Sequence, residues 1–357
     1  MGARPSWLLN LDFISGFSVS VSFSGSTPMK TTIRASFALL IALALSVSLN
    51  SIWAQEYTIK LGHVTSTVEP IHQSFEYYAD QVSKKTNGKV KIEVYPNAAL
   101  GSNKEVYEQA RLGANVIANV DPGYLSDYVP DIGVMNGPYL VVEPQEFNRI
   151  VDSDWYQKVV ERVYEQGFKV LALNGYFGPR HIISDKPIRS LSDIKGLQIR
   201  NPPNVMWVET FKSLGASPIT LAWAEVYSGL AQGVVDAAEA PLGSLWGAKL
   251  YEHKKVISTT GHFKAFVGIA IGRAYWDTLP GDVQDVLLAE GRNWGNKLTE
   301  LTLQSQASFR QKFEAEGVTF VEDIDYASFQ QATESVYSAF PNWTPGLHNQ
   351  IKKILAN

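Results

Sequence analysis

No cysteine occurs among the 357 residues. That excludes a disulfide scaffold and thiol catalysis, and it removes the commonest ligands of structural zinc. Histidine is scarce, and His63, His72, His181, His253, His262 and His348 are scattered with no pair at metal-ligand spacing. Basic runs are absent, and 31 basic side chains face 35 acidic ones, which argues against a nucleic-acid partner. The sequence also lacks a phosphate-binding glycine loop, a dinucleotide fingerprint, a zincin helix and a nucleophile-elbow pentapeptide. No cofactor or metal is expected, and no enzyme is advertised. Only an acid/base pair among the scattered carboxylates is left open, because any two of them can meet in space.

One long apolar run is present, Ala35 to Leu49, preceded by the basic segment Met29 to Arg34 and followed by Ile52-Trp53-Ala54. Basic, apolar and cleavable in that order, residues 29–54 read as a secretory signal peptide, and the run is short for a membrane span of roughly 20 residues. Residues 1–28 resemble neither a leader nor a domain and are read as an extension upstream of a start at Met29. Removing Arg4, Lys30, Arg34 and Asp12 from the totals leaves 28 basic and 34 acidic side chains, a net charge of −6. With no later apolar run of spanning length, the expected product is an exported protein, not embedded in the membrane after cleavage.

From Glu56 onward, strand and helix patterns alternate. Tyr57–Val64 alternates as a strand, Pro70–Lys85 carries Phe75, Tyr78 and Val82 at helical spacing, and Lys89–Tyr95 alternates again. Val116–Asp121 reads as a buried strand and Phe168–Leu173 as a strong one, and through Asn174–Pro179 the chain crosses to a second domain at Arg180. Ala265–Ile271 reads as a strand returning to the first domain. Pro280 to Gly317 is one helical pattern about 55 Å long, either two helices broken near Gly291 or Gly295 or one brace across both domains. The expected division is 55–178 with 265–305 as the first domain, and 179–264 with 306–357 as the second. Two α/β units joined by several crossings leave a ligand-sized cleft between them.

The stretch Gly196–Pro241 is the most informative. It reads as a strand, a helix over Val205–Leu214, the turn Gly215-Ala216-Ser217-Pro218, and a second strand and helix reaching Gln232. Arg200 lies in the first strand, with no acidic side chain between Ile194 and Val208. A guanidinium so placed needs an anion, and its planar fork suits a carboxylate.

Over nearly all of its mature length the chain resembles the substrate-binding proteins of TRAP transporters, the DctP-like family. The resemblance rests on Leu61-Gly62-His63-Val64, on Gly178-Pro179-Arg180-His181, and on Ile194-Lys195-Gly196-Leu197-Gln198-Ile199-Arg200. Leu214-Gly215-Ala216-Ser217-Pro218, Glu225-Val226-Tyr227 and Gly233-Val234-Val235-Asp236 extend it. It implies a two-domain α/β periplasmic-binding-protein clamshell, with the long helix bracing both domains. It also implies a periplasmic receptor that captures an organic acid and hands it to membrane permease subunits. In that reading Arg200 grips the ligand carboxylate, Arg180 assists, and Trp223 makes an apolar contact. One departure stands out: Glu239-Ala240-Pro241 occupies the place where many acid-binding members have Glu-Asn-Pro, so an amide that helps hold the carboxylate is missing.

Further candidates follow from position. His63 and Asp121 stand at strand ends, where such folds place ligands, with Tyr124 close by. Glu239 ends a small-residue strand and is a candidate for bonding a ligand hydroxyl or Arg200. Trp207, Phe211, Leu214 and Trp246 are spaced as packing residues. A receptor for an ATP-driven importer or a sensor shares the clamshell, and a periplasmic enzyme acting on organic acids is the remaining rival.

Overall fold

A computed structural model describes residues 56–356, so the expected leader at 29–54 and the segment 1–28 lie outside the described residues. The first strands follow the alternation of the sequence: β1 (Tyr57–Gly62), β2 (Val90–Tyr95) and β3 (Val116–Val120). β1 lies between β2 and β3, parallel to both. Parallel neighbours require crossovers, and the helices Pro70–Lys85 and Asn103–Arg111 supply them. The first buries Ile71, Phe75, Tyr78 and Val82 on one stripe and carries Lys84 and Lys85 in its last turn, where cations suit the helix dipole.

The next strand is the pivot of the architecture. β4 runs from Phe168 to Ser184, 17 residues without a break. Its first part pairs antiparallel with a later strand, β9 (Lys264–Gly272), which in turn pairs with β3. Its last part pairs with β7 (Ala238–Pro241) and β8 (Val256–Ser258), and β8 carries the short parallel strand β10 (Thr319–Val321). Between them in sequence, β5 (Gln198–Asn201) and β6 (Ser217–Thr220) form a separate parallel pair, bridged to Ala237 at Ile199. The order β10-β8-β4-β9-β3-β1-β2, with β7 beside β4, makes one strand a member of both lobes' sheets.

The crossing expected through Asn174–Pro179 is extended chain, continuous with the strand before it. Its partners continue on β9, from Gly175 opposite Val267 to Pro179 opposite Lys264, and register shifts absorb the glycines and the proline. Pro144–Val151 is a 3-10 turn joined to a short helix, and the helix after Leu242 stops at Gly247 because Lys249 takes a left-handed conformation. The strand expected near Trp223 lies earlier, at β6, and Trp223–Glu225 is a 3-10 turn.

The long pattern near the C-terminus is a single helix, Gly281–Ala315, of 35 residues. Its two halves pack into different cores. Leu287, Trp294 and Leu298 pack with Ile59, Phe75 and Tyr78, whereas Phe309 and Phe313 pack with Leu242, Leu245 and Tyr251. Trp294 stacks on Phe75 and donates its Nε1 proton to Ser74 Oγ at 2.9 Å. The helix does not break at its glycines because β4 presses on them. A methyl group at Gly295 would stand 2.0 Å from Asn174 Oδ1, and one at Gly291 would stand 2.9 Å from Leu171 O. Among the described residues no helix is long and apolar enough to cross a membrane.

Gly295→Ala separates two opposed effects. Helix propensity alone favours alanine by about 1 kcal/mol, whereas overpacking against the Asn174 side chain costs roughly 1–3 kcal/mol. Urea unfolding should show net destabilisation, and a more stable variant would mean that the helix does not bear on β4.

Candidate functional site

A cavity of about 670 Å³, counting its solvent-open mouth, is walled by Val64, Thr65, Asn103, Asn119, Asp121, Tyr124, Phe177 and Val267. Arg180, Arg200, Pro202, Asn204, Trp207, Trp223, Ala240 and Ser244 complete the wall. The topology explains this meeting. Val64 and Thr65 follow β1, and Asn119 and Asp121 end β3, at the carboxyl ends of one parallel set. Arg200, Pro202 and Asn204 lie at or beyond the end of β5, and Trp223 follows β6, at the carboxyl ends of another. Carboxyl ends of parallel strands are where open α/β sheets place ligands.

Arg200 is 2% exposed. Its Nε and Nη2 both donate to Leu221 O, at 3.0 and 2.8 Å, and its guanidinium carbon lies 5.2 Å from the Trp223 ring centre. No carboxylate among the described residues lies within salt-bridge distance of it. Burial pushes the guanidinium down to about 10, with the more distant Glu239 opposing, so it stays charged at neutral pH. Trp223 is thus a wall of the cavity as well as the aromatic face under this cation.

Arg180 stands differently. Its Nε and Nη2 meet Glu239 Oε2 and Oε1 at 2.5 and 2.7 Å, and Nη2 also donates to Glu239 O at 3.0 Å. Glu239 has no exposed surface and lies opposite Ile182 in the β4–β7 ladder. His262 Nε2 is 3.2 Å from Oε2, and Thr260 Oγ1 is 2.7 Å from His262 Nδ1. Burial alone would raise the Glu239 carboxyl, but the Arg180 charge and its hydrogen bonds, with His262 behind, hold it well below the usual carboxylate range. The guanidinium also lies 5.4 Å from the Trp207 ring centre.

Two expectations need correction in this geometry. Glu239 is not part of the cavity wall and pairs with Arg180 rather than Arg200, because the β4–β7 register brings those two side chains together. His63 is also behind the wall. Its ring nitrogens meet Thr65 Oγ1 at 2.7 Å and His72 Nδ1 at 3.1 Å, and it packs on Phe75. Burial, with His72 beside it, lowers it to about 3 and keeps it neutral; its neighbours Val64 and Thr65 face the cavity instead.

Asp121 and Tyr124 are both in the wall. Asp121 caps the helix Pro122–Leu125, and its Oδ1 accepts from Gly123 N at 2.7 Å, Asn136 Nδ2 at 2.6 Å and Asn204 Nδ2 at 3.4 Å. Burial raises it to about 6, against the pull of those donors and of Arg180. Burial raises the Tyr124 phenol to about 12, so it presents a neutral hydroxyl. Trp207, expected as packing alone, packs on Phe263 and also forms cavity wall. Trp246 is packing, stacked on Tyr251 and edge-on to Phe313.

The sequence reading missed the amides. Asn119 had a signal, a polar residue inside the apolar strand Val116–Val120, and Asn204 had another, as the helix cap after Pro202-Pro203. Asn103, Phe177 and Ser244 had none, since only the fold brings them to the cleft. Ala240 places a methyl-bearing residue in the wall where the expected amide would reach. Among the described residues no cluster of His, Asp and Glu is arranged to hold a metal ion.

Ser244 connects the cavity to a second buried acid. Its Oγ donates to Glu69 Oε2 at 2.6 Å, and Ser66 N donates to Oε1 at 2.8 Å. Burial raises Glu69 from 4.5 to about 7, only partly offset by those two donors. A carboxyl raised by folding stabilises the protein fully below its unfolded value and loses that contribution as pH rises through the folded one. The wild type should therefore lose up to about 3 kcal/mol between pH 4.5 and 8 through this group. Glu69→Gln should narrow the loss. Urea melts of both proteins at pH 5 and pH 8 check it, and parallel pH profiles would remove Glu69 as the cause.

Comparison with known proteins identifies the family. Residues 61–342 match the DctP model, described as bacterial extracellular solute-binding protein, family 7. A TRAP periplasmic solute-binding protein from Ochrobacterium anthropi, solved with bound L-fuconate, is 36% identical with a TM-score of 0.82, over 84% of this chain and 99% of its own. A solute-binding protein of Roseobacter denitrificans is 28% identical over 310 residues, 87% of this chain and 94% of the relative. The sialic acid-binding periplasmic protein SiaP of Vibrio cholerae is 27% identical over 313 residues, 87% of this chain and 95% of the relative. Those likenesses and the cleft between two strand sets lead to one conclusion: the chain belongs to the DctP family of bacterial extracellular solute-binding proteins, the receptors of TRAP transporters.

Proposed function

We propose that this protein captures a small organic acid in its cleft, grips the carboxylate with Arg200, and delivers the acid to the permease subunits of a TRAP transporter. The observation that carries the reading is Arg200 itself, a buried, charged guanidinium in a cavity wall with no carboxylate among the described residues to neutralise it. Arg180 is a weaker ligand group, because Glu239 occupies its Nε and Nη2 and compensates its charge. Its Nη1 is the donor left for the ligand. Trp223 and Trp207 cover apolar faces of the ligand, and Asp121 and Tyr124 meet its polar end. Glu239 acts by orienting Arg180, and His63 by supporting the segment that carries Thr65.

The relatives' ligands narrow the class. L-fuconate in the Ochrobacterium structure is a hydroxylated carboxylic acid; sialic acid, in the name of the Vibrio relative, is another. The asparagine-rich wall described above suits hydroxyl groups, so we extend this class to the present chain. The work is that of a receptor rather than an enzyme, carried out in the periplasm after removal of the leader at 29–54.

In the mechanism, the lobes are 55–178 with 265–305 and 179–264 with 306–357, and they close on the ligand about β4 and the long helix. The ligand favours closure only by binding the closed form more tightly. About 5.5 kcal/mol of differential affinity takes the balance from 1:99 to 99:1. Both lobes contribute groups to the wall, so a bound acid supplies that difference by bridging Arg200 and the Asp121–Tyr124 side.

A thermal-shift screen against sugar acids, 2-oxo acids, dicarboxylates and aromatic acids tests the reading. A cognate acid at a hundredfold excess over Kd should add about 2.7 kcal/mol of stability, and no shift with any acid would sink it. With the best acid, Arg200→Ala should lose roughly 2–5 kcal/mol of binding in calorimetry, because the anion is left buried and unpaired. Arg200→Lys should not restore it, since an ammonium cannot reproduce the planar fork. Unchanged affinity in Arg200→Ala removes Arg200 from the site, and unchanged affinity in Arg200→Lys removes the need for a planar fork.

A further inference from the structure

We propose that the cleft selects acids carrying a single negative charge, and that Asp121 is the residue that rejects a second one, so the ligand is a polyhydroxy monocarboxylic acid. The inference rests on the carboxylate reading of the cleft and adds to it the charge and donor pattern of the ligand.

The charges of the cavity wall come first. Its ionised side chains at neutral pH are Arg180, Arg200 and Asp121. Arg180 is already neutralised by the two-point contact with Glu239. Arg200 is the wall's one cation without a carboxylate partner among the described residues, enough for one carboxylate and no more. A second carboxylate on the same small ligand has no free cation to meet. It meets Asp121, which three amide donors fix in place and help to keep ionised.

The donor and acceptor pattern agrees. A carboxylate only accepts hydrogen bonds, whereas a hydroxyl both donates and accepts. Asp121 presents acceptors only. Asn119 turns its Nδ2 to Gly268 O at 3.1 Å, which leaves its Oδ1 as an acceptor without a partner among the described residues. While Glu69 is ionised, Ser244 gives its proton to that carboxylate, which leaves the serine oxygen as an acceptor for the ligand. All three belong to the cavity wall together with the arginines. One part of the wall therefore demands an anion, and these three residues offer acceptors that suit hydroxyl protons. A hydroxylated monoacid supplies both, an unhydroxylated acid supplies only the anion, and a hydroxylated diacid adds a second charge that meets Asp121.

The test is calorimetry on the mature protein at pH 7 with matched pairs that differ only in a terminal CH₂OH or carboxylate: galactonate with galactarate, and erythronate with meso-tartrate. Hexanoate serves as the unhydroxylated monoacid. The monoacid of the better-binding pair should bind at least a hundredfold more tightly than its diacid, and hexanoate should be as weak as the diacid. In Asp121→Asn, whose side chain keeps the size and helix-capping ability of the original, the gap should shrink at least tenfold, with the diacid gaining affinity. A diacid that binds the wild type as tightly as its monoacid overturns the inference and leaves the carboxylate reading standing. So does an unchanged gap in a folded Asp121→Asn variant. If that variant does not fold, the wild-type ratio decides alone. Failure of every acid here and in the wider screen overturns both.

Discussion

A guanidinium taken out of water must be compensated, and this molecule is arranged around doing so twice in adjacent places. Arg180 is compensated by a carboxylate: Glu239 meets it at two points, with His262 and Thr260 behind. Arg200 is compensated only in part, by one carbonyl oxygen at Leu221 and the face of Trp223. Removing one partner of a buried pair typically costs 3–5 kcal/mol, so the Arg180–Glu239 contact is tied to the stability of the β4–β7 ladder that holds it. The incomplete partner set of Arg200 leaves that charge available to a ligand. The same residue type is thus paired with a carboxylate at one position and left without one at the other, and the difference is the neighbour the fold supplies.

The framework keeps these charges in place while leaving a cleft. β4 and the long helix both run through two cores, and each is continuous where a sequence reading allows a break. Continuity has a mechanical consequence. Any closure of one lobe on the other would have to be absorbed by bending or twisting of extended chain and helix, and the register shifts in β4 between Val170 and Gly178 are where its ladder is already irregular. The side chains of the cavity are carried at strand ends on either side of that region. A small rotation there would change the distance between Asp121 and Arg200 and would stretch the Asn204–Asp121 contact between the two sides.

Much of the fold could be read from periodicity. The helix Pro70–Lys85 and its buried face follow directly from apolar spacing, and the parallel strands of the first lobe from alternation. Errors fell where tertiary pairing overrides local preference. The strand read as ending at Leu173 continues through Asn174–Pro179, whose two glycines and proline hide it, because ladder partners on β9 hold the crossing extended. The two glycines of the long helix read as a possible break, yet they mark the positions where β4 approaches too closely for a side chain. The site was legible only in part. Arg200, an isolated cation in a neutral strand, stands out in one dimension. The asparagines mostly do not, because an amide in a loop or at a cap has the same sequence signature whether it faces ligand or solvent.

The sequence by itself determined the class of the protein, its family resemblance and the presence of a cation seeking an anion. Those follow from composition, period and ordered motifs, which are properties of the chain. Which carboxylate neutralises which arginine was decided by the tertiary structure. Glu239 is 59 residues from Arg180 in the chain but beside it in the ladder, and 39 from Arg200 yet not in contact with it. Partnership between charges depends on distances of a few ångströms and on exclusion of water, and only the register of the folded sheet sets either of them.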